Sequence, residues 1–577
     1  MDSLMSVLQA ISAVLWHDYV LFTLLGVGIL FTLWSGFGQY RALTHGVAVI
    51  AGRYDRRDDP GAISHFQALS AALSATVGLG NIAGVAIAIS LGGPGAVFWM
   101  WVTGFVGMAL KMTEVTQAML YRNLNDPDNP HGGAMWVAKK GFARFGPGWA
   151  KVGTAVGGLF CVTLLVSTVT GGNMFQAWNV ADITREYFGV PILASGVVQM
   201  VLVGLVIIGG IKRIGSVAGK IVPFMCGFYI LAGIYVIATN AAAVPEALRL
   251  VFYSAFNPTE AQGAFVGGVA GWAFLRGMQR ALFSSESGQG SAPIAHSAAR
   301  TDEPVSEGVV AGLEPFVDTL CVCTVTALVI LLSGAWNRPV DVPFGVAGAP
   351  AVIAAGDGAW TLEPLALEAQ AGEPWSAGDQ VFAVVTGDRH EGRDSLRHRL
   401  TGEVALTPSG PRVQWASIAS AAPVEVVSTG IYRAYKGATL TAKAFDRAVP
   451  GLGFLLVPAV AWLFALSTMI SWSYYGEQGI IYLFGSRWVM PYRWVYCLLI
   501  LAASSPLIRT EAELDVVSTL GTGVMLAVNI PIMLVFGAQA MRAYHAYMRR
   551  LDAGELEPPP SQALHPRRKG PRERHPG

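Results

Sequence analysis

Residues 74–81, Ser-Ala-Thr-Val-Gly-Leu-Gly-Asn, place two glycines, two hydroxyls and an amide in the middle of an apolar run. The surrounding residues 65–110 contain no Asp, Glu, Lys or Arg, and they are long enough to cross a bilayer twice. Gly and Asn are poor helix formers, and backbone freed at membrane depth is tolerated only inside protein or beside a polar cavity. The pattern predicts a membrane helix that is interrupted at a binding site.

The composition indicates that this helix belongs to a polytopic membrane protein. Of the 577 residues, 53% are hydrophobic and 13% are charged, whereas soluble domains have roughly 25% charged residues. Most of the surface therefore faces the lipid bilayer. The net charge of +1 does not indicate a nucleic-acid partner. The five cysteines fall in apolar runs, which favours buried side chains over disulfides or metal ligands.

Apolar runs predict an all-α polytopic fold with about eleven transmembrane helices. The runs are 19–37, 65–90, 94–120, 152–180, 190–211, 221–244, 263–288, 308–334, 451–483, 494–508 and 514–541.

The distribution of Lys and Arg predicts the orientation, because basic loops remain on the cytoplasmic side. Basic residues concentrate in three segments, 38–64, 122–151 and 212–220. At most one Lys or Arg is found in the alternate segments 1–18, 181–189 and 245–262. The N-terminus is therefore expected outside and the C-terminus in the cytoplasm. No basic residue precedes the first run, which favours a retained helix over a cleaved signal peptide.

Residues 336–428 are polar and interrupt the apolar pattern. Alternating segments at 380–385 and 412–415, separated by turn-like pairs, predict a small β-rich insertion outside the cytoplasm. A long disordered loop is the alternative. The membrane domain is then expected in two parts, 1–335 and 429–550. The Pro-rich, charged tail, 551–577, is expected to be disordered and cytoplasmic.

Four motifs resemble signatures of the alanine/glycine:cation symporter family, the sodium:alanine symporters. They are Gly92–Trp101, Gly172–Gln176, Arg280–His296 and Ser473–Glu477. The resemblance covers about residues 19–335 and 430–541, so the insertion is not part of it. It implies the leucine-transporter-like fold, a 5+5 inverted repeat, preceded here by one extra helix. The second repeat would begin at the run 263–288, which glycines also interrupt.

The resemblance implies sodium-coupled uptake of a small neutral amino acid, alanine and/or glycine, by alternating access across the bacterial inner (plasma) membrane. A half-helix N-terminus suits the substrate carboxylate, and exposed carbonyls suit its ammonium group or a cation. The expected substrate contacts are Thr76, Gly78, Leu79, Gly80, Asn81, Gln176, Trp272 and Phe274. Sodium would meet the hydroxyls of Ser467 and Thr468 and the backbone carbonyls of Ser74 and Val77. A cytoplasmic gate is expected at Arg280 and Glu286.

Each assignment has a structural alternative. Gly80 and Gly84 have the spacing of a helix-packing motif, and a dinucleotide loop at Gly78 is disfavoured because no strand precedes it. The Ser and Thr hydroxyls can bond to their own helix. Gln176 can cap its helix. The remaining alternatives are core packing for Trp272 and Phe274 and interface snorkelling for Arg280.

Other function classes are alternatives to sodium-coupled amino-acid transport. Proton coupling would favour carboxylates at membrane depth, and the first broken helix contains none. A membrane-embedded enzyme would need a nucleophile or a metal-ligand motif such as His-Glu-x-x-His, which the apolar runs lack. A ligand sensor would need a cytoplasmic signalling module. Lys111 and Glu114, three residues apart, are expected to pair on one helix face.

Overall fold

The computed structural model describes residues 11–556 except 12–13, 57, 261, 268–269, 346–347, 357, 368–374, 389–396, 409, 436 and 506–510. Most of the tail that the sequence predicts to be disordered therefore lies outside the described residues. Residues 551 and 552 form the end of the last helix, and residues 553–556 follow it directly.

Helices form most of the described chain. In the first part they are α1 (Asp18–Trp34), α2 (Gly38–Ile50), α3 (His65–Thr76), α4 (Gly80–Gly92), α5 (Gly95–Tyr121), α6 (Ala134–Ala143), α7 (Pro147–Phe188), α8 (Ile192–Ile207), α9 (Gly210–Thr239) and α10 (Val244–Phe256). They continue as α11 (Ala270–Ser285), α12 (Ala292–His296), α13 (Pro304–Leu332), α14 (Gly437–Ala448), α15 (Leu452–Phe484), α16 (Val489–Ala503) and α17 (Glu511–Asp552).

The helical architecture with several membrane-spanning helices, which the apolar runs predict, is confirmed. Among the described residues, six helices are long and apolar enough to cross a bilayer, and bent pairs raise the number to eight. The count of eleven and the inverted repeat stay predictions.

Burial separates inner helices from peripheral ones. In α5, 72% of the apolar window is buried within the protein, whereas in α9 the share is 33%. Phe224 and Leu231 on α9 are exposed by 63% and 68%, which suits a surface in contact with lipid because apolar side chains there need no protein partner. The functional groups are therefore expected around α5 rather than on α9.

The first predicted interruption is present between α3 and α4, whose axes differ by 54°. Helix α3 begins with a capping box. The Gln67 backbone N–H donates to the Ser64 hydroxyl, and the Ser64 backbone N–H donates to the Gln67 side-chain oxygen. It ends at Val77, whose ψ of 96° is extended rather than helical. Residues 80–84 then form a wide π-helical turn, a feature that is frequent at functional sites.

The second interruption lies later in the chain than its glycines predict. Helix α11 is continuous through Gly271 and Gly277, and the break falls between Ser285 and Ala292. Gly277 is used for close packing instead, because a Cβ there would lie 2.3 Å from the backbone oxygen of Ala96. At the break, Glu286 adopts a left-handed φ of +52°, which is uncommon for a residue with a side chain.

The β-rich character predicted for the insertion is confirmed, whereas its bounds and its location outside the cytoplasm stay predictions. Its strands are β1 (Val342–Pro343), β2 (Val352–Gly356), β3 (Ala359–Leu362), β4 (Leu365–Ala366), β5 (Gln380–Thr386), β6 (Arg397–Thr407), β7 (Gly410–Trp415), β8 (Ile418–Ala419) and β9 (Gly430–Arg433). One sheet has the order β1-β9-β5-β6-β7-β4 and the other β2-β3-β8. The pairings between these strands are antiparallel, with β5 and β6 in register at Phe382↔Thr401.

The insertion contacts the membrane domain near both broken helices. Arg399 on β6 donates to the backbone oxygen of Ser90 in α4 at 3.1 Å and to that of Ala264, which precedes α11, at 2.9 Å. Phe382 and Tyr432 pack in one apolar cluster with Ala264 and Val266. The insertion is therefore attached to the ends of α4 and α11 that the orientation predicts to lie outside.

Candidate functional site

A cavity of about 50 Å³ lies where the two interruptions meet α7 and α15. It is lined by Ala75, Thr76, Gly78, Leu79, Gly80, Ser167, Gly171, Gln176, Phe283, Ser284, Glu286, Gln289, Thr468, Trp472 and Thr522. Thus six residues predicted from the sequence as substrate or sodium contacts share one cavity wall: Thr76, Gly78, Leu79, Gly80, Gln176 and Thr468. The lining combines hydroxyl and amide groups with aromatic rings, as is usual for a small-molecule site.

Asn81 holds the first interruption together from just behind this wall. Its side-chain oxygen Oδ1 accepts a hydrogen bond from the backbone N–H of Gly78 at 2.8 Å. Its Nδ2 donates to Ser284 Oγ at 3.0 Å and to Asp318 Oδ1 at 2.5 Å. Asn81 therefore connects the break in α3/α4 to α11 and α13.

Asp318 provides a buried carboxylate at this point. It lies in a π-helical segment of α13, Phe316–Cys323, and is fully buried. Ser284 Oγ donates to its two oxygens at 3.1 and 3.0 Å, and Thr319 Oγ1 donates at 2.7 Å. These hydrogen-bond donors are all neutral, so the carboxyl group is available to bind a cation or a proton.

Asp318 is not among the residues that the sequence predicts to bind sodium or substrate, although it lies inside an apolar run. A carboxylate inside an apolar run is itself the available signal, because such residues are rare and functional. The first broken helix lacks a carboxylate, but α13 places that of Asp318 directly against Asn81. The absence of a carboxylate from α3 and α4 therefore does not exclude one from the site. Ser284 was missed for the same reason, because its partners are distant in sequence.

The residues predicted to bind sodium meet at the end of α3. Thr468 Oγ1 and Ser467 Oγ donate to the backbone oxygen of Ser74 at 3.2 and 3.4 Å. Ser74 Oγ donates to the backbone oxygen of Ser467 at 2.7 Å. Val77 follows directly and is fully buried. Ser467 also bonds to Phe464 in its own helix at 2.9 Å, as the structural alternative proposed.

Gln176 extends into the cavity from α7. Its Nε2 donates to the backbone oxygen of Gly171 at 3.1 Å, so it partly caps its own helix. Among the described residues, no partner is found for its buried Oε1 atom or for the hydroxyl of Ser167. Buried polar atoms are usually hydrogen-bonded, so these two cavity-lining groups are positioned for a ligand.

Two other predicted substrate contacts lie away from the cavity. Phe274 stacks on Phe22 of α1 at a centroid distance of 5.0 Å and packs edge-on against Trp99 at 4.8 Å. The Trp272 ring lies 4.2 Å from the Arg276 guanidinium. The structure therefore places both rings in packing contacts on α11 and not in the cavity lining.

The two predicted gate residues occupy different places. Glu286 lines the cavity, is buried, and accepts a hydrogen bond from Ser291 Oγ at 2.5 Å. Arg280 precedes Glu286 by six residues and lies beside α4. A Cβ atom added to Gly84 would be 3.6 Å from the Cδ atom of Arg280. Glu286 thus belongs to the second interruption itself.

Comparisons with known proteins show the family to which the chain belongs. The profile of the sodium:alanine symporter family matches residues 1–367 and 411–560. The sodium/alanine symporter AgcS of Methanococcus maripaludis is 34% identical over 511 residues, which cover 88% of this chain and 90% of AgcS.

Two relatives from Bacillus subtilis have other names. YrbD, whose name proposes a sodium/proton-dependent alanine carrier, is 30% identical and covers 95% of this chain and 93% of its own length. GlnT, named a probable sodium/glutamine symporter, is 36% identical over 61% of this chain and 70% of its own length. The unmatched residues, 368–410, lie in the insertion. The chain belongs to the sodium:alanine symporter family and is a secondary transporter rather than an enzyme.

Proposed function

We propose that this protein couples sodium entry to the uptake of a small neutral amino acid, alanine and/or glycine, by alternating access. The observation that carries the proposal is the cavity between the two interruptions, with the unpartnered Oε1 of Gln176 in its wall. The cavity is small, which favours a small amino acid. The family's cation-coupled amino-acid transport supports the same assignment.

The substrate is held by groups of opposite character. Helix α4 begins at Gly80, where the helix dipole favours a carboxylate. Gln176 Oε1 is a hydrogen-bond acceptor, so it suits the ammonium group. Thr76, Gly78 and Leu79 complete this wall, and glycine allows close approach of the ligand backbone.

Sodium is assigned to oxygen-rich places beside the cavity. One is formed by Ser74, Val77, Ser467 and Thr468, where hydroxyls already meet a backbone carbonyl. A Cβ on Gly78 would lie 3.0 Å from Thr468 Oγ1, so glycine leaves room there. The other is Asp318 with Asn81 and Ser284, where the carboxylate supplies the compensating charge. A monovalent cation needs no rigid cage of carboxylates in either place.

Opening and closing are assigned to the second interruption. Glu286 lines the cavity at a backbone position with positive φ, so movement of residues 286–291 changes the cavity directly. Together with Arg280 it is proposed as the gate on the predicted cytoplasmic side. The N-terminus is proposed outside and the C-terminus inside the plasma membrane.

Proton coupling is the second candidate, because Asp318 and Glu286 place two carboxyl groups beside the cavity. The test is equilibrium binding of labelled alanine and glycine to the purified protein in sodium chloride and in choline chloride, each at several pH values. Binding that requires sodium at every pH supports the proposal. Binding that needs only low pH would replace sodium with the proton.

A further inference from the structure

A second group of ionisable side chains is buried between the central cavity and the predicted cytoplasmic face. His296 Nε2 lies 2.8 Å from Glu314 Oε1, and His296 Nδ1 lies 2.5 Å from Glu307 Oε1. Glu307 Oε2 forms a short contact with His65 Nδ1. These four residues, Glu314, His296, Glu307 and His65, form the acid–imidazole chain. None of them is among the assigned sodium or amino-acid ligands.

The two hydrogen bonds of His296 require one proton beyond that of a neutral imidazole between two carboxylates. That proton is bound either to the ring or to a carboxyl oxygen. An ionised carboxylate only accepts hydrogen bonds, and a neutral imidazole donates from one nitrogen only. Because both nitrogens of His296 contact carboxyl oxygens, either the ring is an imidazolium ion or one carboxyl group is protonated. The two states differ only in the position of one proton between nitrogen and oxygen.

The chain has an inner end and an outer end. At the inner end, Lys111 Nζ lies 3.3 Å from Glu314 Oε2 and 3.8 Å from Glu114 Oε1, so the predicted Lys111–Glu114 pair is present. At the outer end, His65 Nε2 lies 3.7 Å from Asp55 Oδ1. The side chains of His296, Glu307 and Glu314 are fully buried, whereas that of Asp55 is 10% exposed. Asp55 is the least buried of these side chains, so it is assigned as the exit of the proton.

Other ionisable groups face the chain from the packed elements. Around the inner end they are Lys111, Glu114, Glu286 and Tyr475. Around the outer end they are His45, Asp55, Asp59 and Arg122. Burial raises the pKa of the Asp59 carboxyl, which lies in the loop before α3. Lys111 also interacts electrostatically with Asp318, so charge at the cation site acts on the inner end.

We propose that the acid–imidazole chain binds one exchangeable proton, which the protein releases toward the cytoplasm when sodium and amino acid load the central cavity. This inference rests on the proposed function and adds a proton site to it. A cation at Asp318 disfavours a nearby positive charge, and the proton leaves along His65 and Asp55. No bond other than those to the proton changes.

The chain and the cation site are coupled reciprocally, since linkage is symmetric for binding. A bound proton therefore weakens sodium binding by the same factor by which sodium expels the proton. Couplings of this kind are about 5- to 150-fold. The sodium concentration for half-maximal alanine binding is expected to rise at least about fivefold as the pH falls through the range in which the acid–imidazole chain takes up its proton.

The experiment uses the purified full-length protein in weakly buffered detergent solution with a pH-indicator dye. Sodium is added with alanine, and the protons released per bound alanine are counted. The same titration is made on Glu307→Gln, which keeps the side-chain shape, and on the control Glu303→Gln. Glu303 lies on the same segment but pairs with Arg550 at 2.8 Å and is partly exposed.

The expected result is proton release by the wild type and by Glu303→Gln, and its loss in Glu307→Gln with alanine binding retained. A merely structural Glu307 would reduce the yield of folded protein without changing the pH dependence of sodium binding. Absence of release in the wild type, or its persistence in Glu307→Gln, would overturn the inference. If Glu307→Gln does not fold, absence of release in the wild type still overturns the inference. Absence of sodium-dependent binding for every amino acid would instead refute the proposed function.

Discussion

The central site and the β-rich insertion satisfy their polar groups in opposite ways. In the central site, Asn81 bonds to Ser284 and Asp318, which are 203 and 237 positions away in the chain. In the insertion, β6 pairs with β7 through a tight connection, beginning at Thr407↔Gly410. The site therefore exists only when three helices meet, whereas the central strands β5, β6 and β7 of the sheet pair with their neighbours in the chain.

This difference separates essential residues from accessory ones. A substitution at the central site disturbs contacts among α3/α4, α11 and α13 at once, because Asn81, Ser284 and Asp318 are all buried. The insertion meets the membrane domain through contacts such as those of Arg399. Effects on transport should therefore be large in the site and small in the insertion.

The largest effect is expected for Asp318→Asn. Hydrogen bonds to a charged group contribute about 1.5–3 kcal/mol, so loss of the carboxylate should reduce sodium-dependent uptake at least about tenfold. Uptake into proteoliposomes at limiting sodium measures the effect. The control is Asp182→Asn, which removes a charge from the partly exposed pair with Arg185. Equal loss in both variants would contradict the comparison.

Asn81→Ala should follow closely. It leaves the backbone N–H of Gly78 and the Asp318 carboxylate without their side-chain partner, at a cost of about 1–3 kcal/mol. Alanine uptake should fall about tenfold while membrane insertion stays near that of the wild type. Asn240→Ala, at the exposed end of α9, is the matched control. Normal uptake by Asn81→Ala would remove this residue from the site.

Substrate size tests the cavity itself. Extra methylene groups forced into a close-packed space cost about 1–3 kcal/mol, so leucine should compete with labelled alanine at least about tenfold less well than glycine or serine. Competition is measured in proteoliposomes with unlabelled amino acids. Leucine uptake as efficient as alanine uptake would reject the assigned cavity as the substrate pocket.

Ser467→Ala should have a moderate effect that is specific to sodium. Loss of one hydroxyl that contacts the Ser74 carbonyl corresponds to about 0.5–1.5 kcal/mol, a two- to tenfold rise in the sodium concentration for half-maximal transport. Ser473→Ala serves as the control, because that hydroxyl bonds to Ile470 in its own helix at 2.6 Å. An unchanged sodium dependence in Ser467→Ala would move the ion elsewhere.

The smallest effect is expected when residues 336–428 are replaced by a short Gly/Ser linker. Both assigned sites lie in the membrane domain, so sodium-dependent transport should persist. The rate should change by about twofold, the scale of substitutions remote from a site, since the Arg399 contacts to Ser90 and Ala264 are lost. Complete loss of substrate binding in a correctly inserted variant would show that the insertion is part of the site.

External proteolysis tests the orientation on which this placement depends. A protease added from outside should cut the insertion and leave the 122–148 loop intact, and the reverse pattern would invert the topology.

Much of the insertion was predictable because its signal is local. Alternation at 380–385 and 412–415 anticipates β5 and β7, since successive side chains of a strand face opposite sides. The first interruption was predictable for a similar reason, because Gly78, Gly80 and Asn81 stand together in one apolar run.

The rest of the site depends on contacts between distant segments. The sequence around Gly271 and Gly277 does not show whether these glycines break the helix or allow close packing against another helix. In the structure, α11 continues through both. The actual break contains Glu286, whose positive φ is maintained by its surroundings rather than by its residue type. Likewise, the apolar run around Asp318 gives no indication that Asn81 is its partner.

Transport of labelled amino acids into proteoliposomes tests the central claim most directly. A panel of alanine, glycine, serine, glutamine and leucine is measured at fixed membrane potential, with an inward sodium gradient and with none. The proposed function predicts accumulation of alanine and/or glycine that requires the sodium gradient and is lost in Asp318→Asn. Accumulation of none of these, or equal accumulation without the sodium gradient, would contradict it.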